Sequence, residues 1–250
     1  MKIKLLLLLF FMLSISTNMF SQIQENKVNE VGIASKKNKD SIVIKIDYDF
    51  FLLGTLNDYM GRKWVAKGEI FDRYYTFEKP LMKFVDSIVK NEFKISLIEK
   101  DNCFNSEEMS KKMNSYYNEN ELIHSFFTSK EKKISFILGA YYRYGEKVNE
   151  NIYKIQIANS YKHIEIYQFL LSLGCKNIYY KRVQNIPAQN ILYFEANELI
   201  KECFKTIELE KEKLFESLFE SFKSMKISKE DYIKEMDKRN LKVIELFNGK

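Results

Sequence analysis

Residues 153–177, YKIQIANSYKHIEIYQFLLSLGCKN, decide how the chain is to be read. One reading makes them a strand at 153–158, a helix at 161–173 and a second strand at 177–181. Asn159 or Ser160 then caps the helix, and Gly174 ends it in a left-handed turn. The other makes them two short helices of a repeating unit. The choice separates a sheet-bearing fold from a stacked helical one. In both, the apolar side chains belong to the core and define no site.

The helical reading rests on a resemblance. Ile155, Ile157 and Ala158, then His163-Ile164-Glu165-Ile166, Leu170-Leu171 and Gly174-Cys175 resemble the pattern of an ankyrin repeat, and Gly145 to Asn149 are similar to the end of a preceding one. The resemblance implies a helix–turn–helix unit within a stack, because one repeat cannot bury both of its faces. Tyr153-Lys154 and Gln156 depart from the motif, and no window 33 residues away repeats it.

Helical spacing dominates elsewhere. Phe50, Leu53, Leu56 and Met60 recur at three and four residues behind Asp47 or Asp49, with Gly61 placed as a C-terminal stop. Residues 78–93 place Pro80 in a first turn. Ser106 caps a helix at 106–117. Thr128 and Glu131 open one that Gly145 closes. A long helix at 197–225 and a second from Ser228 to about Phe247 form a C-terminal hairpin. Residues 41–46 read as a short strand. The expected fold is mainly α, with a small sheet as its α+β variant: a helix-rich domain over 41–196 carrying the hairpin of 197–250. "FLLGTLNDYMGRKW" (51–64) and "FILGAYYRYGEKV" (136–148) share Phe-x-Leu-Gly, which puts Gly54 and Gly139 at close helix contacts. The slip in spacing between the copies reads as coincidence rather than duplication.

At the N-terminus, Lys2 and Lys4 precede an apolar run from Leu5 to Leu13, and small residues lead to Ser21. This is the order of a secretory signal (1–21), cleaved before Gln22 and followed by a flexible leader at 22–40. The run is too short for a membrane span, which takes about 20 apolar residues. The expected location is periplasmic or secreted, with no membrane insertion after cleavage.

A composition of 46% apolar and 30% charged residues is that of a globular chain. Loss of Lys2 and Lys4 with the signal lowers the net charge from +6 to about +4, a small balance without a basic stripe, and this together with export argues against a nucleic-acid partner. His124 and His163 are the only histidines, and Cys103, Cys175 and Cys203 are scattered and read as inert thiols. No phosphate loop, paired zinc ligands or nucleophile elbow appears, so no catalytic residue, metal or cofactor is expected. Asp47-x-Asp49 reads as helix capping. Tyr and Arg favour binding hot spots, which makes Tyr141, Tyr142, Arg143 and Tyr144 the candidate contact surface. The function expected from sequence is an exported, non-catalytic binder acting by protein–protein contact. A hydrolase whose site no local motif assembles is its rival.

Overall fold

The computed structural model describes residues 44–59, 61–62, 68–184, 186–222 and 228–249. The expected signal and leader (1–40) lie outside the described residues, as does the start of the strand expected at 41–46, whose described part is not in a strand. Among the described residues, no helix is long and apolar enough to cross a membrane.

The decisive stretch is a strand, a helix and a strand. β7 spans Ile152–Ala158, α5 Lys162–Ser172 and β8 Lys176–Val183, so a strand stands where an ankyrin-like unit has its first helix. Asn159 and Gly174 take positive φ (46° and 84°) at the two corners, which Asn and Gly tolerate.

A similar order occurs twice in the chain, the second time with one more strand. The first half runs α1 (Tyr48–Thr55), β1 (Ile70–Arg73), α2 (Lys79–Ile88), β2 (Ile98–Lys100), β3 (Cys103–Asn105) and α3 (Glu107–Asn114). The second runs α4 (Lys130–Tyr144), β6 (Gly145–Lys147), β7, α5, β8, β9 (Gln189–Glu195) and α6 (Glu198–Lys205). The first sheet is ordered β1-β3-β2, and the second β6-β7-β9-β8, so β1, β3 and β2 occupy the places of β7, β9 and β8. All pairings are antiparallel. A small ribbon of β4 (Tyr117–Asn118) and β5 (Glu121–Leu122) joins the halves. The mainly α expectation therefore gives way to an α+β fold with three antiparallel sheets. Its strands are short, and the β2–β3 turn uses Asp101 and Asn102 at φ 53° and 58°, a hairpin geometry without the Asn-Gly signal.

The shared Phe-x-Leu-Gly marks a reciprocal contact between two helices. A Cβ on Gly54 would lie 2.2 Å from the Phe136 carbonyl oxygen, and one on Gly139 would lie 2.0 Å from that of Phe51. Each glycine meets the backbone three residues before its counterpart, which is a two-fold contact. Around it, Phe127, Phe136 and Phe169 cluster with ring centroids 4.5 to 5.7 Å apart. Tyr153, Ile155 and Ile157 of β7 and Leu192 and Phe194 of β9 turn one sheet face into this core.

Helix starts follow their caps. Asp47, Ser106, Ser129, Asn197 and Ser228 each accept a hydrogen bond from a first-turn amide. Ser129, not Thr128, holds the start of α4. The expected helix of 197–225 is two, α6 and α7 (Glu208–Phe222), separated at Thr206-Ile207. α7 packs against α2 through Leu214, Leu218 and Phe222. α8 (Lys229–Asn248) brings Val243, Ile244 and Phe247 to the outer face of the second sheet, against Val148, Ile152, Tyr179 and Tyr193.

Gly54→Ala or Gly139→Ala is expected to destabilise the fold by about 3 kcal/mol, the upper end of overpacking costs, since backbone rather than a movable side chain meets the added methyl. Urea unfolding reads this directly. A loss under about 1 kcal/mol would show that the crossing has slack.

Candidate functional site

The candidate contact residues Tyr141, Tyr142, Arg143 and Tyr144 form the last turn of α4, and all four are buried. Arg143 is 1% exposed. Its Nε and Nη2 donate to the two carboxylate oxygens of Glu78 at 2.8 and 2.6 Å. Nη1 donates to Asp72 Oδ2 at 2.9 Å and to the Thr55 carbonyl at 2.8 Å, and Nη2 donates again to the Arg73 carbonyl at 2.7 Å. All five guanidinium protons are thus engaged inside the protein. The Tyr144 hydroxyl donates to the Leu56 carbonyl at 2.8 Å. This turn is a seam between the two halves. It is not a contact surface.

The seam has an electrostatic cause. The crossing sets the ends of α1 and α4 side by side, and each end carries unpaired carbonyls and partial negative charge. Lys162 of α5 donates to the Leu56 and Gly54 carbonyls at 2.6 and 3.3 Å and stands 4.0 Å from Asp58. Lys211 of α7 donates to the carbonyls of Tyr141, Tyr142 and Gly145 at 2.9, 3.1 and 2.7 Å. Asp58, Asp72 and Glu78 balance Arg62, Arg143 and Lys162, all six buried. Burial pulls Lys162 down to about 8, with Asp58 and Asp72 opposing, and Lys211 down to about 7, with Glu146 opposing.

The exposed chemistry lies elsewhere, on the hairpin of β8 and β9. Residues 166–194 contain no Asp or Glu, while Lys176, Lys181 and Arg182 all project from β8 and are exposed. β8 is an edge strand, because only β9 pairs with it. Tyr180 is 45% exposed as a residue, and its ring stacks with the imidazole of His163, centroids 5.6 Å apart and planes 24° from parallel. Its hydroxyl is 2.5 Å from Asn190 Oδ1, which holds the ring from its far end. His163 Nδ1 lies 2.7 Å from the Ser160 carbonyl. Burial lowers the His163 pKa; the Ser160 bond opposes this, and the nearby Arg182 charge lowers it further. The ring is therefore neutral at neutral pH. Tyr161, next to the start of α5, is 48% exposed. On the outer face, Gln156 and Gln189 pair at 3.3 Å across β7 and β9.

Sequence reasoning missed this hairpin by reading charge as a total. The signal was present, as a run without carboxylates between Glu165 and Glu195 that holds three cations. His124 does not join His163; it pairs with Glu165 at 2.8 Å. Cys175 and Cys203 are buried, Cys103 is half-buried, and none is bonded to another. Among the described residues, no group of three His, Cys, Asp or Glu side chains is placed to hold a metal ion.

No family model and no curated protein matches the chain. Solved structures resemble it in outline. A crystal structure of I-DmoI in complex with DNA and Ca aligns with TM-score 0.38 and 14% identity over 64% of this chain and 87% of that one. Mesophilic variants of the homing endonuclease I-DmoI align with the same score and identity over 66% and 94%. A variant of I-DmoI in complex with its target DNA aligns likewise over 64% and 91%. At that TM-score the likeness carries no inference to function. The expected exported binder acting by protein–protein contact is set aside, because the four residues expected to form its surface are buried. The exclusion of nucleic acid falls too, because a small net charge conceals where the charges lie: Lys181 and Arg182 stand together on an exposed edge strand.

Arg143→Leu leaves Asp72 and Glu78 buried without their counter-charge, and should cost about 3–5 kcal/mol in urea unfolding. A solvent-facing arginine would cost under about 0.5 kcal/mol, and that result would return Arg143 to the surface. The buried lysines set a pH dependence. Their folded-state pKa values fall below the ordinary value of about 10.4, so above pH 7 the unfolded chain holds the extra protons and stability rises with pH. The rise between pH 7 and 8.5 should reach about 1–2 kcal/mol and shrink in Lys211→Met. This window lies below the range in which Cys203, raised to about 12 by burial, acts in the opposite sense. A wild-type stability that falls across it would contradict the assignment.

Proposed function

We propose that the chain is a nucleic-acid-binding module whose contact element is the β8–β9 hairpin. The observation that supports this most is the edge strand itself: Lys176, Lys181 and Arg182 are exposed on β8, and the hairpin's one carboxylate, Glu195, lies at its far end across from Lys176. Phosphate contacts of this kind supply sequence-independent affinity through counterion release. An edge strand also keeps its cations clear of the sheet, where a polyanion can run along it. The buried charges of the helix crossing take no part, since they are matched among themselves.

Three phosphate contacts predict an affinity that falls with salt at a slope of about −2 to −3 in log–log form. Fluorescence anisotropy with a labelled oligonucleotide at several salt concentrations measures that slope. Lys181→Ala with Arg182→Ala should reduce it by about 2 and leave the circular dichroism spectrum unchanged. Absence of binding by the wild type at low salt, or an unchanged slope in the double variant, would refute the proposal.

A further inference from the structure

We infer that the strand this hairpin takes is single-stranded, with an unpaired base stacked on Tyr180. The inference rests on the nucleic-acid reading above and deepens it. Tyr180 and Arg182 stand two residues apart on β8 and so share one face of the edge strand, with Lys181 between them on the other face. One face of the ring is taken by His163, whose plane lies 24° from parallel, and the hydroxyl is held by Asn190 at 2.5 Å. The ring is fixed from beneath and from its far end, yet 45% of the residue remains in solvent. A tyrosine that serves only the core turns its face inward, as Tyr153 does on β7 of the same sheet.

The chemistry of the occupant follows from that geometry. A flat, pre-oriented ring beside cations offers a π-surface and a place for the adjoining phosphate. Paired bases have their faces covered by their neighbours and cannot use such a ring without unstacking, whereas unpaired bases stack on aromatic side chains regardless of sequence. His163 is neutral, so it adds an aromatic underlayer and no charge. Tyr161, on the segment that carries His163, presents a second exposed ring at 48% exposure. The partner fitting this surface is a single strand of nucleic acid, with a base on Tyr180 and the adjoining phosphate at Arg182 on the same face.

The test compares a single-stranded oligonucleotide, the duplex of the same sequence and an abasic single strand of equal length, each titrated by anisotropy at one low salt concentration. Wild-type protein should favour the single strand over both others by about tenfold or more. Tyr180→Leu should lose that preference while keeping the salt slope, and Tyr180→Phe, which keeps the ring, should retain it. Equal binding of all three ligands by the wild type, with the slope of a three-phosphate contact intact, would overturn the single-strand inference and leave nucleic-acid binding standing. A preference that survives in Tyr180→Leu would likewise remove the base from Tyr180. No binding of any ligand would overturn both readings.

Discussion

Two glycines without side chains hold this molecule together. Gly54 and Gly139 let α1 and α4 approach until the backbone of each lies where the other's Cβ would be, and much of the remaining architecture answers to that approach. Side chains cannot relieve the contact by moving, so the crossing fixes the helices in one relation. Each helix then carries its own sheet and outer helices with it. The two halves share one order of three strands, to which the second adds β6, and they are disposed about a single two-fold contact.

The crossing has an electrostatic consequence. It puts two negative helix ends together where water cannot reach them, and unpaired carbonyls there carry a desolvation cost. Arg143, Lys162 and Lys211 meet those carbonyls, and Asp72 and Glu78 in turn meet Arg143. Arg suits the central place because its planar fork satisfies a carboxylate with two bonds and still has protons for the backbone. The network fixes register between the halves more than it adds stability, as buried ion pairs seldom outweigh their own desolvation. A group of Tyr and Arg residues that resembles a binding hot spot in sequence is, in space, the joint of the fold.

Much of this was legible locally and little of it globally. Asp47, Ser106, Asn197 and Ser228 announce their helices because a cap is a contact within four residues. The strand–helix–strand reading of 153–177 was available from Asn159 and Gly174, whose conformations mark its corners. Most strands were not legible. β2 is three residues long with every side chain exposed, and β8 is an edge strand with no buried alternation. The likeness of the halves was hidden by unlike residues at matching places: four residues beyond each glycine stand Asp58 in one half and Arg143 in the other. The hairpin surface was missed for the opposite reason, since a sum over the chain erases where its charges lie. Tyr180 and His163 meet from different elements, and no spacing in the sequence brings them together.

The most direct measurement is a backbone amide NMR titration of the protein with a short single-stranded oligonucleotide. Chemical-shift changes should concentrate in Lys176–Val183 and in Tyr161–His163, with Tyr141–Tyr144 and the α1–α4 crossing undisturbed. Shifts confined to the crossing, or to the α7–α8 region alone, would place the contact elsewhere and contradict a nucleic-acid surface on the β8–β9 hairpin.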